Sequence, residues 1–155
     1  MATYLNENPP LACIPNAVSP EKQEYWVNEI VPKLYKSVRE IQELPNGWAW
    51  RLPSTSEILT LVTEDLNIER LCCPFVRYKL EIEPNGGPFW LHMTGGEGVK
   101  EFLRMGYEAA SYFDPQVAKA AGLDLSASPE IDSVETALDA VDRLNKSYAT
   151  TIASK

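Results

Sequence analysis

The chain predicts an α+β fold: an antiparallel sheet from two β-hairpins (about residues 38–53 and 75–94), alternating with helices at about 20–31, 55–72 and 97–113, plus a C-terminal helix at about 130–152. Three observations carry this. Asn46-Gly47 and Asn85-Gly86 are tight-turn dipeptides, because both residues tolerate the positive φ that short hairpin loops require. Other segments repeat apolar residues at three-four spacing, the signature of a helix with one buried face. Hairpins separated by helices favour an antiparallel sheet covered on one side over a parallel, nucleotide-binding sheet.

The first helix opens at Ser19-Pro20-Glu21-Lys22, where Ser19 can cap and Pro20 suits the first helical position; Pro32 should kink or end it near Val31. Trp48, Trp50 and Leu52 alternate with Ala49 and Arg51 as a strand whose tryptophans share one face, the pattern of core packing. Its partner arm, with Val38, Ile41 and Leu44 three apart, also fits a helix; we read it as a strand. Ser54-Thr55-Ser56-Glu57 starts the next helix, and Ile58, Leu61, Val62, Leu66, Ile68 and Leu71 form its stripe up to Pro74. Proline disfavours helix at the residue before it, so Cys73 falls at or just past the end.

Val76, Tyr78, Leu80 and Ile82 then alternate with Arg77, Lys79, Glu81 and Glu83, and Phe89, Leu91 and Met93 return as the buried face of the next strand, with Trp90 and His92 opposite. Thr94-Gly95-Gly96-Glu97-Gly98 leads into a helix through Val99, Phe102, Leu103 and Tyr107; its glycines suit a phosphate, but Glu97 repels one and a turn suffices. In the last helix Ile131, Val134, Leu138, Val141, Asn145, Tyr148 and Ile152 recur at alternating three-four spacing. A polar Asn145 on such a face is the device that fixes register in coiled coils, so homo-oligomerisation, a homodimer for example, is one expectation and packing on its own domain the other. The organisation expected is an N-terminal arm (1–19), an α+β domain (20–113) and a C-terminal helical extension (114–155).

With 155 residues, 45% of them hydrophobic, the chain is one domain in size and long enough to bury a core. A net charge of −8 argues against nucleic acid and anionic membranes as partners, because both need clustered Lys and Arg. No stretch approaches the roughly 20 apolar residues that span a bilayer. The first eight residues lack the basic start and apolar run of a signal peptide. Three cysteines cannot all pair within the chain, which favours a reducing compartment. A cytoplasmic protein is the expectation.

The most informative feature is Glu69-Arg70-Leu71-Cys72-Cys73-Pro74-Phe75, which sets two soft sulfur ligands beside a carboxylate. Together with Gly86-Gly87-Pro88-Phe89-Trp90-Leu91, Thr94, Gly98-Val99-Lys100-Glu101-Phe102-Leu103, Leu44-Pro45-Asn46-Gly47, Arg51-Leu52-Pro53 and Cys13, it resembles a family of small, mostly uncharacterised bacterial proteins, over roughly residues 11 to 105. The resemblance implies no particular chemistry.

Glu69 lies three and four residues before Cys72 and Cys73, so a helix turns all three toward one side, and Cys13 would complete a three-thiolate set for a soft metal or metalloid ion. Zinc would need a fourth ligand, from His92 or Glu69. Buried, inert cysteines are the competing reading, free cysteine being among the most buried residue types. Redox chemistry is disfavoured because a helix C-terminus raises a thiol pKa, although Arg70 or Arg77 would offset it. Hydrolysis by Glu69, Cys72 and His92 is weaker still: a lone histidine on a polar strand face is usually just solvated. The expected function is therefore sensing or sequestration of a thiophilic ion through Cys72, Cys73, Cys13 and Glu69. A non-catalytic homo-oligomeric interaction protein with structural cysteines is the alternative.

Overall fold

In a computed structural model, which describes residues 11–153, the chain is α+β with one four-stranded antiparallel sheet. The Pro9-Pro10 part of the expected arm lies outside the described residues. Strands β1 (Glu40–Leu44), β2 (Gly47–Leu52), β3 (Arg77–Ile82) and β4 (Phe89–Thr94) stand in the order β1-β2-β4-β3. The two hairpins thus meet through β2 and β4, which align Trp48 with Met93, Trp50 with Leu91 and Leu52 with Phe89. All six of those residues are buried, while Trp90, His92 and Thr94 on the other face of β4 are only half-buried. On β4 the alternation expected of a sheet with its core on one side is met, while on β2 the small Ala49, facing the other way, is buried as well.

The two turns differ in what their glycines do. Asn85 (φ 60°) and Gly86 (φ 73°) both take the left-handed conformation that the β3–β4 reversal requires. The first turn instead runs through Pro45 and Asn46, with no positive φ at Asn46. Gly47 is needed there for close approach: any Cβ would collide with the Met93 backbone of β4.

Helix α1 (Pro20–Tyr25) is capped by the Ser19 hydroxyl, which accepts from Lys22 N–H, and the helical path continues through a π turn (Trp26–Ile30) into α2 (Val31–Lys33). The helix thus ends at Lys33, two residues past the expected end, and Pro32 leaves its mark as a distortion just before it. Its ring brings no N–H to the Asn28 carbonyl and crowds it, and the wide π turn, with Val31 N–H reaching Trp26 O, absorbs that defect. Helix α3 (Ser56–Cys72) is capped by Thr55, which accepts from Ile58 N–H at 3.1 Å, and Cys73 has already left helical geometry ahead of Pro74.

Helix α4 (Val99–Glu108) ends five residues earlier than expected. Ser111 instead pairs with Glu130, and the bend swings Tyr112 and Phe113 into the core against Tyr35. After α5 (Pro115–Ala120), the last helix, α6 (Val134–Ala153), starts four residues later than expected. Reciprocal bonds between Ser133 and Thr136, each side chain accepting the other's backbone N–H, fix that start.

Helix α6 buries Ala137, Ala140, Leu144 and Tyr148 rather than Val134, Leu138 and Val141, which are half-buried. Small residues explain the rotation: α6 lies so close to α4 that a Cβ on Gly106 would sit 3.3 Å from Leu144 Cδ2. The face that packs within the chain is thus centred on Ala137, Ala140, Leu144 and Tyr148 and not on the expected residues, and the main core takes in Ala118, Leu123 and Ala140 along with the sheet. Among the described residues, no helix is long and apolar enough to cross a membrane.

Candidate functional site

Cys13 and Cys73, 60 positions apart, meet with their Sγ atoms 3.0 Å from each other. Each is placed by backbone chemistry. Cys73 follows the last helical residue, and its own N–H closes the final turn by donating to Glu69 O at 2.7 Å. That departure from helical geometry parts its side chain from that of Cys72. Cys73 is buried and Cys72 half-buried.

Cys13 is held from two sides. The Asn145 amide on α6 accepts its backbone N–H (2.9 Å) and donates to its carbonyl (3.0 Å), copying the exchange between two strands. One residue on, Ile14 N–H donates to Cys72 O at 2.8 Å, satisfying a carbonyl that the end of α3 leaves without a helical partner. Asn145, expected as a register-setting residue on the last helix, is thus a clamp on the segment that carries Cys13.

Behind the thiols lies a cavity of about 150 Å³ between α3, α4, α6 and the core face of the sheet. Its wall is largely apolar: aliphatic side chains share it with Trp26, Tyr35, Trp50, Tyr78, Phe102, Tyr107 and Tyr112, and all three cysteines line it. Two carboxyl groups of α3, Asp65 and Glu69, one turn apart, also face it. Asp65 is only 2% exposed and accepts from Trp26 Nε1 (3.0 Å) and the Tyr35 hydroxyl (3.2 Å). The same hydroxyl lies 3.4 Å from Glu69 Oε1. One hydroxyl hydrogen cannot serve two carboxylates, so the arrangement suits one carboxyl that keeps its own proton.

The electrostatics agree. Burial, then the Glu69 charge, pushes Asp65 well above the usual carboxylate range, and burial raises Glu69 to about 7 against the opposing hydrogen bonds of Tyr35 and Cys73. Cys73 is raised by its hydrogen bond with Cys13, by burial and by Glu69. Burial, with Glu69 adding, pushes Cys72 up to about 12. These thiols rest protonated, and neither arginine offsets the effect: Arg70 turns back to Asn67 Oδ1 (3.0 Å), and Arg77 is exposed on β3. Activated-thiolate chemistry has no support here.

The expected ligand set is therefore assembled only in part. Cys13 joins Cys73, with Glu69 against the Cys73 thiol, but among the described residues no three His, Cys, Asp or Glu groups are placed to hold a metal ion. His92, weighed as one of two options for a fourth zinc ligand and disfavoured as a catalytic base, pairs across the strands with Ala49 and Lys79 on the face away from the core, its Nε2 4.0 Å from Glu81. That placement removes it from both roles. Asp65, Tyr35 and Trp26 are the site residues that the sequence reading missed. The signal available was Asp65 itself, a charge set on the apolar stripe of α3 four residues after Leu61 and four before Glu69. Comparison with protein-family models, curated proteins and solved structures returns no match.

Proposed function

We propose that the protein captures small thiophilic species, for sensing or sequestration, through the Cys13–Cys73 dithiol. The observation that carries this reading is the 3.0 Å approach of two sulfurs 60 positions apart in the chain, at the wall of a cavity. Soft sulfur pairs select soft centres over magnesium or calcium. Zinc fits less well, since it takes four ligands and spreads two sulfurs to about 3.8 Å when each Zn–S bond is about 2.3 Å. A pyramidal trivalent metalloid holds two sulfurs close together and needs no complete tetrahedral shell.

The protonation state points the same way. A dication must displace a proton from each thiol, which raised thiol pKa values oppose. A neutral metalloid hydroxide brings its own base: each hydroxide leaves as water, taking one thiol proton. The buried pair favours that exchange. Titration of As(III), Hg(II) and Zn(II) against wild type, Cys13→Ser, Cys72→Ser and Cys73→Ser tests the proposal. As(III) should bind to wild type and Cys72→Ser and be lost in the other two. Equal, weak uptake of all ions by all four proteins would remove the proposed function.

A further inference from the structure

Two sulfurs converge in this site and a third does not, and apolar space lies directly behind the pair. An inorganic trivalent metalloid has three exchangeable positions and is best satisfied by three thiols. A mono-organic one has two exchangeable positions and one carbon substituent. Resting on the dithiol reading above, we propose that the preferred ligand is a trivalent organoarsenical, R–As(OH)₂, with Cys13 and Cys73 on arsenic and a small aryl or alkyl R in the cavity.

The space fits the substituent. A cavity of about 150 Å³ matches the engineered apolar cavity of roughly that volume that stays dry and admits benzene. Trp26, Trp50, Phe102, Tyr107, Leu138 and Leu144 supply flat and aliphatic wall for a ring. Phe102 and Trp50, 1% and 2% exposed, belong to the packed core that closes the inner wall of the cavity. The exchange balances without an oxidant or reductant. Two As–O bonds break and two As–S bonds form, the two thiol protons leave with the two hydroxides as two waters, and arsenic stays trivalent. The As–C bond is untouched. Cys72 takes no part, because no third sulfur is gathered with the pair.

The test uses the full chain, freshly reduced and freed of small thiols, with phenylarsine oxide and sodium arsenite as probes. Binding is read by intact mass, by thiol titration and by tryptophan fluorescence, since Trp26 and Trp50 line the cavity. Expected are one arsenic per chain, two thiols blocked, and a Kd for phenylarsine oxide at least about tenfold below that for arsenite. Ala137→Leu, which fills the cavity from α6, should erase the preference while arsenite binding persists. Should that variant lose its fold, a size series on the wild type decides instead. The phenyl compound should bind more tightly than the methyl one, and the naphthyl compound should be rejected. Arsenite binding as tightly as phenylarsine oxide, or a flat size series, would overturn this inference and leave the dithiol reading standing. Thiols left free by both probes would end both.

Discussion

Asn145 has no expected contact with any ligand, yet replacing it should weaken capture. Its amide makes two hydrogen bonds, 2.9 and 3.0 Å long, to the backbone N–H and carbonyl of Cys13. At about 1 kcal/mol net for each, Asn145→Ala releases the Cys13 segment at a cost of about 2 kcal/mol. What then holds the segment beside the site is Ile14 N–H to Cys72 O, Gln23 Nε2 to Pro15 O and the thiol contact itself. A loosened Cys13 must be ordered when ligand binds instead of when the chain folds, so the same 2 kcal/mol passes into affinity, roughly a thirtyfold rise in Kd. The assay is phenylarsine oxide binding by tryptophan fluorescence, beside thermal melting, with Lys146→Ala as control because Lys146 is exposed and pairs with exposed Asp142. Asn145→Asp keeps an acceptor for the Cys13 N–H and loses the donor to its carbonyl, so it should fall between the two. A lowered melting temperature with unchanged affinity would refute the reasoning, since Asn145 would then be a packing residue with no hold on the thiol.

Other outcomes follow from the same geometry. Mild oxidation by a small disulfide should join Cys13 to Cys73 and not Cys72 to Cys73, and closing that 60-position span should add about 4 kcal/mol of stability; a vicinal bridge in the peptide map would contradict this. Glu69 binds its proton more tightly folded than unfolded, since its pKa rises from 4.5 to about 7 on burial. Its contribution is therefore complete below about pH 4.5 and lost as pH rises through 7, a swing of about 3 kcal/mol. Glu69→Gln should flatten that segment of the stability–pH curve; a wild-type curve that rises between pH 5 and 7 by the same amount in both proteins would count against it. Truncation after Ser126 removes buried Ala140, Leu144 and Tyr148 and should give a destabilised or aggregated chain in light scattering and melting. A folded monomer with unchanged melting temperature would deny α6 its packing role.

Local chemistry made most of the elements readable. The Thr55 cap, the Pro74 stop and the three-four stripe between them define α3, and period-two alternation places the tryptophans of β2 and the Phe89-Leu91-Met93 face of β4 on the core side. What failed was non-local. Nothing in residues 97–113 announces that Ser111 will pair with Glu130 and end α4 early. The rotation of α6 depends on Gly106 across the interface. The site shows the same division. The paired cysteines stand out in sequence, but their adjacency misleads, because Cys73 finds its sulfur partner 60 positions away while Cys72, still helical, does not share it. Asp65 escaped notice because a carboxylate on an apolar stripe looks like a break in the pattern until Trp26 and Tyr35 are seen donating to it.

The claim that two sulfurs, and only two, take the ligand is open to direct measurement by X-ray absorption at the arsenic edge on the arsenite-loaded protein. Two sulfur neighbours and one oxygen are predicted for wild type and equally for Cys72→Ser, falling to one sulfur or none in Cys13→Ser and Cys73→Ser. Three sulfur neighbours in wild type, with one lost in Cys72→Ser, would contradict the account.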